Sequence, residues 1–147
     1  MDLGHRPFAT DREALKLCRE FRELRLPKPA WTHRAHLTAA LWFFTHHSWE
    51  ETAVLIPAAI KRYNAVTGVE DSATNGYHQT ITRFYLWAVV RWMRERPVTD
   101  GFAARANALY DELGDRELPL PYYSRERLWS VEARAGWVEP DLVPLPD

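Results

Sequence analysis

Residues 77–96 read Y-H-Q-T-I-T-R-F-Y-L-W-A-V-V-R-W-M-R-E-R, and the reading of this stretch decides the fold class. Its inner part, Phe84 to Trp92, is aromatic and β-branched enough to pass for a buried strand. The pattern, however, runs without a break for about twenty residues, whereas strands usually span about 3–10. It therefore predicts a helix from about Tyr77 to Arg96, stopped by Pro97.

The flanking segments carry the same kind of punctuation. Upstream, Ser48 and Glu51 make a capping box that opens a helix running to about Val66, with Gly68 as its stop. Pro57 lies inside it and is expected to kink or split it. Thr32 is a candidate N-cap for a helix in which Leu37, Ala40, Leu41 and Phe44 form one stripe. Thr10 and Glu13 make another capping box, after which Leu15, Cys18, Phe21 and Leu24 recur at helical spacing until Pro27. Downstream, a fifth helix is expected from about Asp100, with Phe102, Ala106, Leu109 and Leu113 on one side and Gly114 after it.

From Leu118 the texture changes. Pro119, Pro121, Pro140, Pro144 and Pro146 forbid a long helix, while Tyr122, Tyr123, Leu128, Trp129 and Trp137 are too apolar for a loose tail. Residues 118–147 are read as an extended wrap with short turns capped by Ser124 and Ser130, packed across the bundle as a cover for a pocket. The expectation is an all-α, single-domain bundle of about five helices over residues 1–147.

Composition narrows the function classes. Hydrophobic residues make up 46% and charged residues 27% of the 147, an ordinary globular balance. Aromatics reach 13%, with seven tryptophans, which predicts a core or pocket with large flat walls. A net charge of −1 with interleaved signs argues against nucleic-acid binding. No apolar run approaches the about 20 residues of a membrane span. The N-terminal M-D-L-G-H-R-P-F lacks a secretory h-region, so a cytoplasmic protein is expected. A homodimer is allowed by the apolar, tryptophan-rich composition, although no heptad argues for one. Cys18, on an apolar helix face, reads as a small core residue.

The histidines carry the chemistry. His33 and His36 lie in W-T-H-R-A-H-L (31–37), and His78 in G-Y-H-Q-T-I-T (76–82). Residues three apart on a helix bring their Cβ atoms within about 5–6 Å, so His33 and His36 are able to share an ion, with His78 arriving from another helix. Helix N-termini and apolar neighbours both favour the neutral imidazole that binds metal. Three imidazoles leave one coordination position open, where water of lowered pKa (about 7) would supply hydroxide. A carboxylate from Glu70, Asp71, Glu126, Glu139 or Asp141 would instead complete an iron-type facial set.

This set predicts a divalent metal, zinc first and iron second, and a small-molecule substrate, with hydrolysis before oxygenation. Arg34, Tyr77, Arg83, Tyr122 and Arg125 are candidate substrate contacts, the arginines as bidentate anion clamps. Two metal-free alternatives stand beside it. One is a module holding a small anion among histidines, arginines and aromatics; the other is a structural domain with hydrogen-bonded buried histidines.

W-T-H-R-A-H-L, G-Y-H-Q-T-I-T and Y-S-R-E-R-L-W-S-V-E-A-R-A-G-W-V-E-P-D-L (123–142) together resemble a family of short bacterial proteins of unknown function. The resemblance spans about Trp31 to Leu142 and implies that His33, His36, His78, Tyr122, Ser124, Arg125 and Trp137 to Asp141 belong to its pattern. A looser similarity is to the DinB-like helical-bundle hydrolases, which draw three histidines from two helices at a different spacing.

Overall fold

A computed structural model describes residues 4–96, 98 and 100–147. Among them there is no strand, and the chain is all-helical. In chain order come α1 (Asp11–Arg22), a 3-10 turn (Lys28–Ala30), α2 (His33–His46) and α3 (Trp49–Val66). They are followed by α4 (Gln79–Glu95), α5 (Phe102–Leu113) and two short helices, α6 (Arg125–Leu128) and α7 (Val131–Ala135). Pro97, the expected stop of α4, lies outside the described residues.

The caps follow their local chemistry with two departures. Ser48 and Glu51 form the reciprocal box, Glu51 N–H donating to Ser48 Oγ (3.1 Å) and Ser48 N–H to Glu51 Oε1 (2.9 Å). At α1 only half the box forms. Thr10 accepts from Glu13 N–H, but the Glu13 carboxylate reaches one residue further back, to Ala9 N–H. At α5 the cap comes from another helix, because Ala103 N–H donates to Asp11 Oδ1 at 2.9 Å. Asp100 does not cap that helix; Gly101 occupies the N-cap position.

Pro57 does not split α3, which continues over 18 residues. An interior proline costs about 3 kcal/mol. Ile56, Ile60 and Tyr63 on the same helix are buried, and each such side chain contributes about 1.5–3 kcal/mol, so packing outweighs the lost backbone bond.

α2 is the central element and packs against α1, α3, α4 and α5. Ala35, Leu37, Ala39, Ala40 and Leu41 are buried around its circumference, so it has no solvent-facing stripe. The C-terminal segment crosses the bundle, with α7 on α4. Tyr123 is fully buried and its hydroxyl donates to the Val138 carbonyl at 2.6 Å. Thr80 Oγ1 donates to the Gly136 carbonyl and accepts from Val138 N–H, which seams the wrap to the first turn of α4. No helix among the described residues is long and apolar enough to cross a membrane.

Candidate ligand cavity

A cavity of about 370 Å³ opens between α2, α3, α4 and the C-terminal wrap. Leu37, Ala40, Ile56, Ile60, Ile81 and Leu86 make its walls apolar, and Trp31, Tyr85 and Trp129 add flat aromatic faces. The wrap supplies Pro119, Leu128 and Trp129, and Trp129 stays 56% exposed at the rim. A 300–1,000 Å³ apolar cleft with few polar groups is the usual form of a small-molecule site.

His33 and His36 both line it. Thr32 caps α2 by accepting from Ala35 N–H (3.2 Å), which sets the first helical turn and with it the two histidines three residues apart. His36 Nδ1 lies 2.7 Å from the Thr32 carbonyl oxygen. A carbonyl only accepts, so the proton is on Nδ1 and Nε2 carries the lone pair. That Nε2 has no hydrogen-bond partner among the described residues and is not one of the buried atoms lacking one, so it is an accessible atom of a residue that lines the cavity. The His36 ring stacks on Trp31 at 3.8 Å between centroids, and Trp31 stacks in turn on Phe21 at 4.1 Å.

His33 makes no hydrogen bond among the described residues, and its Nε2 is buried without a partner. Its ring meets Tyr85 edge-on at 4.8 Å. Burial, reinforced by the Arg116 guanidinium and partly offset by Asp115, lowers the His33 pKa to about 4. Burial likewise lowers His36 to about 4, against the pull of its bond to the Thr32 carbonyl; His33 and Arg116 push the same way as burial. Both imidazoles are neutral at pH 7.

His78 sits differently. It is the N-cap of α4, not part of the first turn, and its Nδ1 accepts from Ile81 N–H at 3.1 Å. Its Nε2 lies 2.7 Å from the Leu128 carbonyl, to which it must donate. Both nitrogens are committed, so this ring has no free lone pair for an ion. It does not line the cavity; it holds Leu128 and Trp129, which do. Among the described residues no group of three or more His, Cys, Asp and Glu side chains is placed to hold a metal.

The expected carboxylates are also engaged elsewhere or lie away from the cavity. Asp71 accepts from Asn64 and Tyr77 N–H, Asp141 from Ser124, and Glu139 from Trp137 Nε1. Glu126 borders a shallow groove near Ser124, and Glu70 does not line the cavity.

None of the five expected substrate contacts lines the cavity. Arg34 is buried against α5, over the Tyr110 ring at 4.0 Å and 3.5 Å from Asn107 Oδ1, and does not line the cavity. Arg83 is exposed over Trp137, and Arg125 pairs with Glu117 on the surface. Tyr77 donates to Gln79 Oε1 at 2.6 Å, and Tyr122 packs against Phe84 and Trp87. Cys18 is buried, and burial pushes its thiol up to about 12, which leaves it a core group. His5 Nε2 lies 2.9 Å from the Pro29 carbonyl oxygen.

The chain matches no protein-family model, and neither characterised proteins nor solved structures offer a match to it.

Of the polar side chains lining the cavity, Thr82, Tyr85 and Arg116 were not legible as site residues. Arg116 lies at the rim, exposed and with no hydrogen bond or ion pair among the described residues. Tyr85 Oη donates to the Asp115 carbonyl at 2.7 Å and so moors the loop that carries it. An arginine in a G-D-R-E loop has no periodicity to mark it, and only the tertiary contact between α4 and this loop brings it to the histidines.

Proposed function

We propose that the protein binds a small, mostly apolar organic molecule in this cavity, without a metal. The observation that carries the reading is a pair of neutral imidazoles, each with an unpaired nitrogen among the described residues, in a mostly apolar chamber. His36 Nε2 is the accessible one of the two and offers its lone pair to a donor group on a ligand in the cavity. The metal-free reading is preferred over a three-histidine centre because His78 has no lone pair to contribute.

The chemistry of the walls favours binding over acid–base catalysis. A general base works best with a pKa near the working pH, and both histidines titrate near 4. Ala40, on the cavity wall, provides the test. Naphthalene is expected to bind the wild-type chain, seen as a saturable heat of binding and a raised melting temperature. Ala40→Phe, which puts a ring into the chamber from its wall, should weaken that binding at least about tenfold while circular dichroism stays helical. No saturable binding by the wild-type chain of naphthalene or its polar derivatives would end the proposal.

A further inference from the structure

Resting on that reading, the geometry points to the class of ligand: we infer that the cavity takes a flat aromatic alcohol whose hydroxyl donates to His36 Nε2. Three observations converge on it. First, the Thr32 carbonyl holds the His36 proton on Nδ1, so the free nitrogen is an acceptor and nothing else. A partner for it must bring its own hydrogen.

Second, His33 shares the cavity wall one turn away and is neutral as well, so a hydroxyl, a small neutral group, brings the hydrogen that His36 lacks without a charge. An ether, a ketone or a hydrocarbon leaves His36 unsatisfied. Third, Trp31, Tyr85 and Trp129 present flat surfaces around an apolar volume, which suits a fused or single aromatic ring over a flexible chain.

An anion fits less well. Both histidines are neutral, and the arginines expected to clamp a carboxylate lie away from the cavity. Among the described residues Arg116 is the one guanidinium that touches the cavity, and it stands exposed at the rim, where water competes for it.

The experiment is calorimetric titration at pH 7.5 with naphthalene, 1-naphthol, 1-methoxynaphthalene and 1-naphthoate. Expected is a preference of about tenfold for 1-naphthol over 1-methoxynaphthalene, the value of one neutral hydrogen bond. His36→Phe, which keeps the stack on Trp31, should bring the ratio to about one, and Arg116→Gln should leave it unchanged. Equal affinity for the three neutral probes overturns the alcohol assignment and leaves the cavity proposal intact. Tighter binding of 1-naphthoate overturns it in favour of an anion site at Arg116. Should His36→Phe fail to fold, the wild-type ratio decides by itself. No binding of any probe ends both readings.

Discussion

His78 Nε2 donates to the main-chain carbonyl of Leu128 across fifty residues of sequence, at 2.7 Å. The same ring caps α4 through Nδ1, so one side chain starts a helix and pins the wrap that walls the cavity. Thr82 Oγ1 donates to the His78 carbonyl at 2.8 Å and completes the turn. This placement makes the histidine a structural tie, and its consequences are measurable.

Replacing it separates the two roles. His78→Ala loses the cap, about 1 kcal/mol, and orphans the buried Leu128 carbonyl, a further 1–3 kcal/mol. His78→Asn keeps a good cap but is too short to serve the carbonyl, so its loss should be smaller by about 1 kcal/mol. Urea unfolding of the three proteins checks this ranking. Equal stability of His78→Ala and wild type would contradict the tie.

Stability should fall with acid between pH 6.5 and 4. His33 and His36 have ordinary values of 6.5 when unfolded and about 4 when folded. Within that window the unfolded chain binds more protons, so stability rises with pH and is fully present above about 6.5. Each histidine contributes a slope of at most about 1.4 kcal/mol per pH unit. Thermal melts of wild type and of a His33→Leu/His36→Phe variant would show it, the variant with the flatter profile. Identical profiles would mean that neither imidazole is held neutral by the fold.

Metal content gives an independent check. Protein purified without a histidine tag is expected to carry far less than one zinc or iron per chain, and a chelator should leave its melting temperature unchanged. Stoichiometric metal lost together with His78→Ala would restore the three-imidazole centre.

Leu24 is the non-glycine residue with positive φ (62°) among the described residues, at the end of α1. Leu24 N–H donates to the Phe21 carbonyl (3.1 Å) and Arg25 N–H to that of Glu20 (2.8 Å), a Schellman turn closed by leucine where glycine is usual. The left-handed conformation costs about 1–2 kcal/mol. Leu24→Val, β-branched and worse in that region, should lose at least about 1 kcal/mol, whereas Leu24→Gly should be neutral or better despite its lost packing. A more stable valine variant in denaturant titration would refute this account.

Asn107 clamps the N-terminal segment, accepting from Phe8 N–H and donating to the Phe8 carbonyl, both at 2.9 Å. Asn107→Ala is expected to cost about 1–3 kcal/mol and to raise the amide exchange of Phe8 selectively. Unchanged protection at Phe8 would show that packing of its ring alone holds the segment.

Much of the fold was readable in the chain itself, because helix signals are local. Thr10, Thr32, Ser48, Ser124 and Ser130 all cap the helices they precede, and the long run ending at Glu95 is helical as its length required. Spacing also placed His33 and His36 on one turn, and they do share a cavity wall. What residues do across space was not local. The number of lone pairs left on His78 depends on where the Leu128 carbonyl falls, fifty residues later. Whether Arg34 or Arg116 meets the histidines depends on which side of α2 each neighbour packs. A buried ring takes the hydrogen-bond partners that the assembled fold brings to it, so helix content was a property of the sequence and the site a property of the packing.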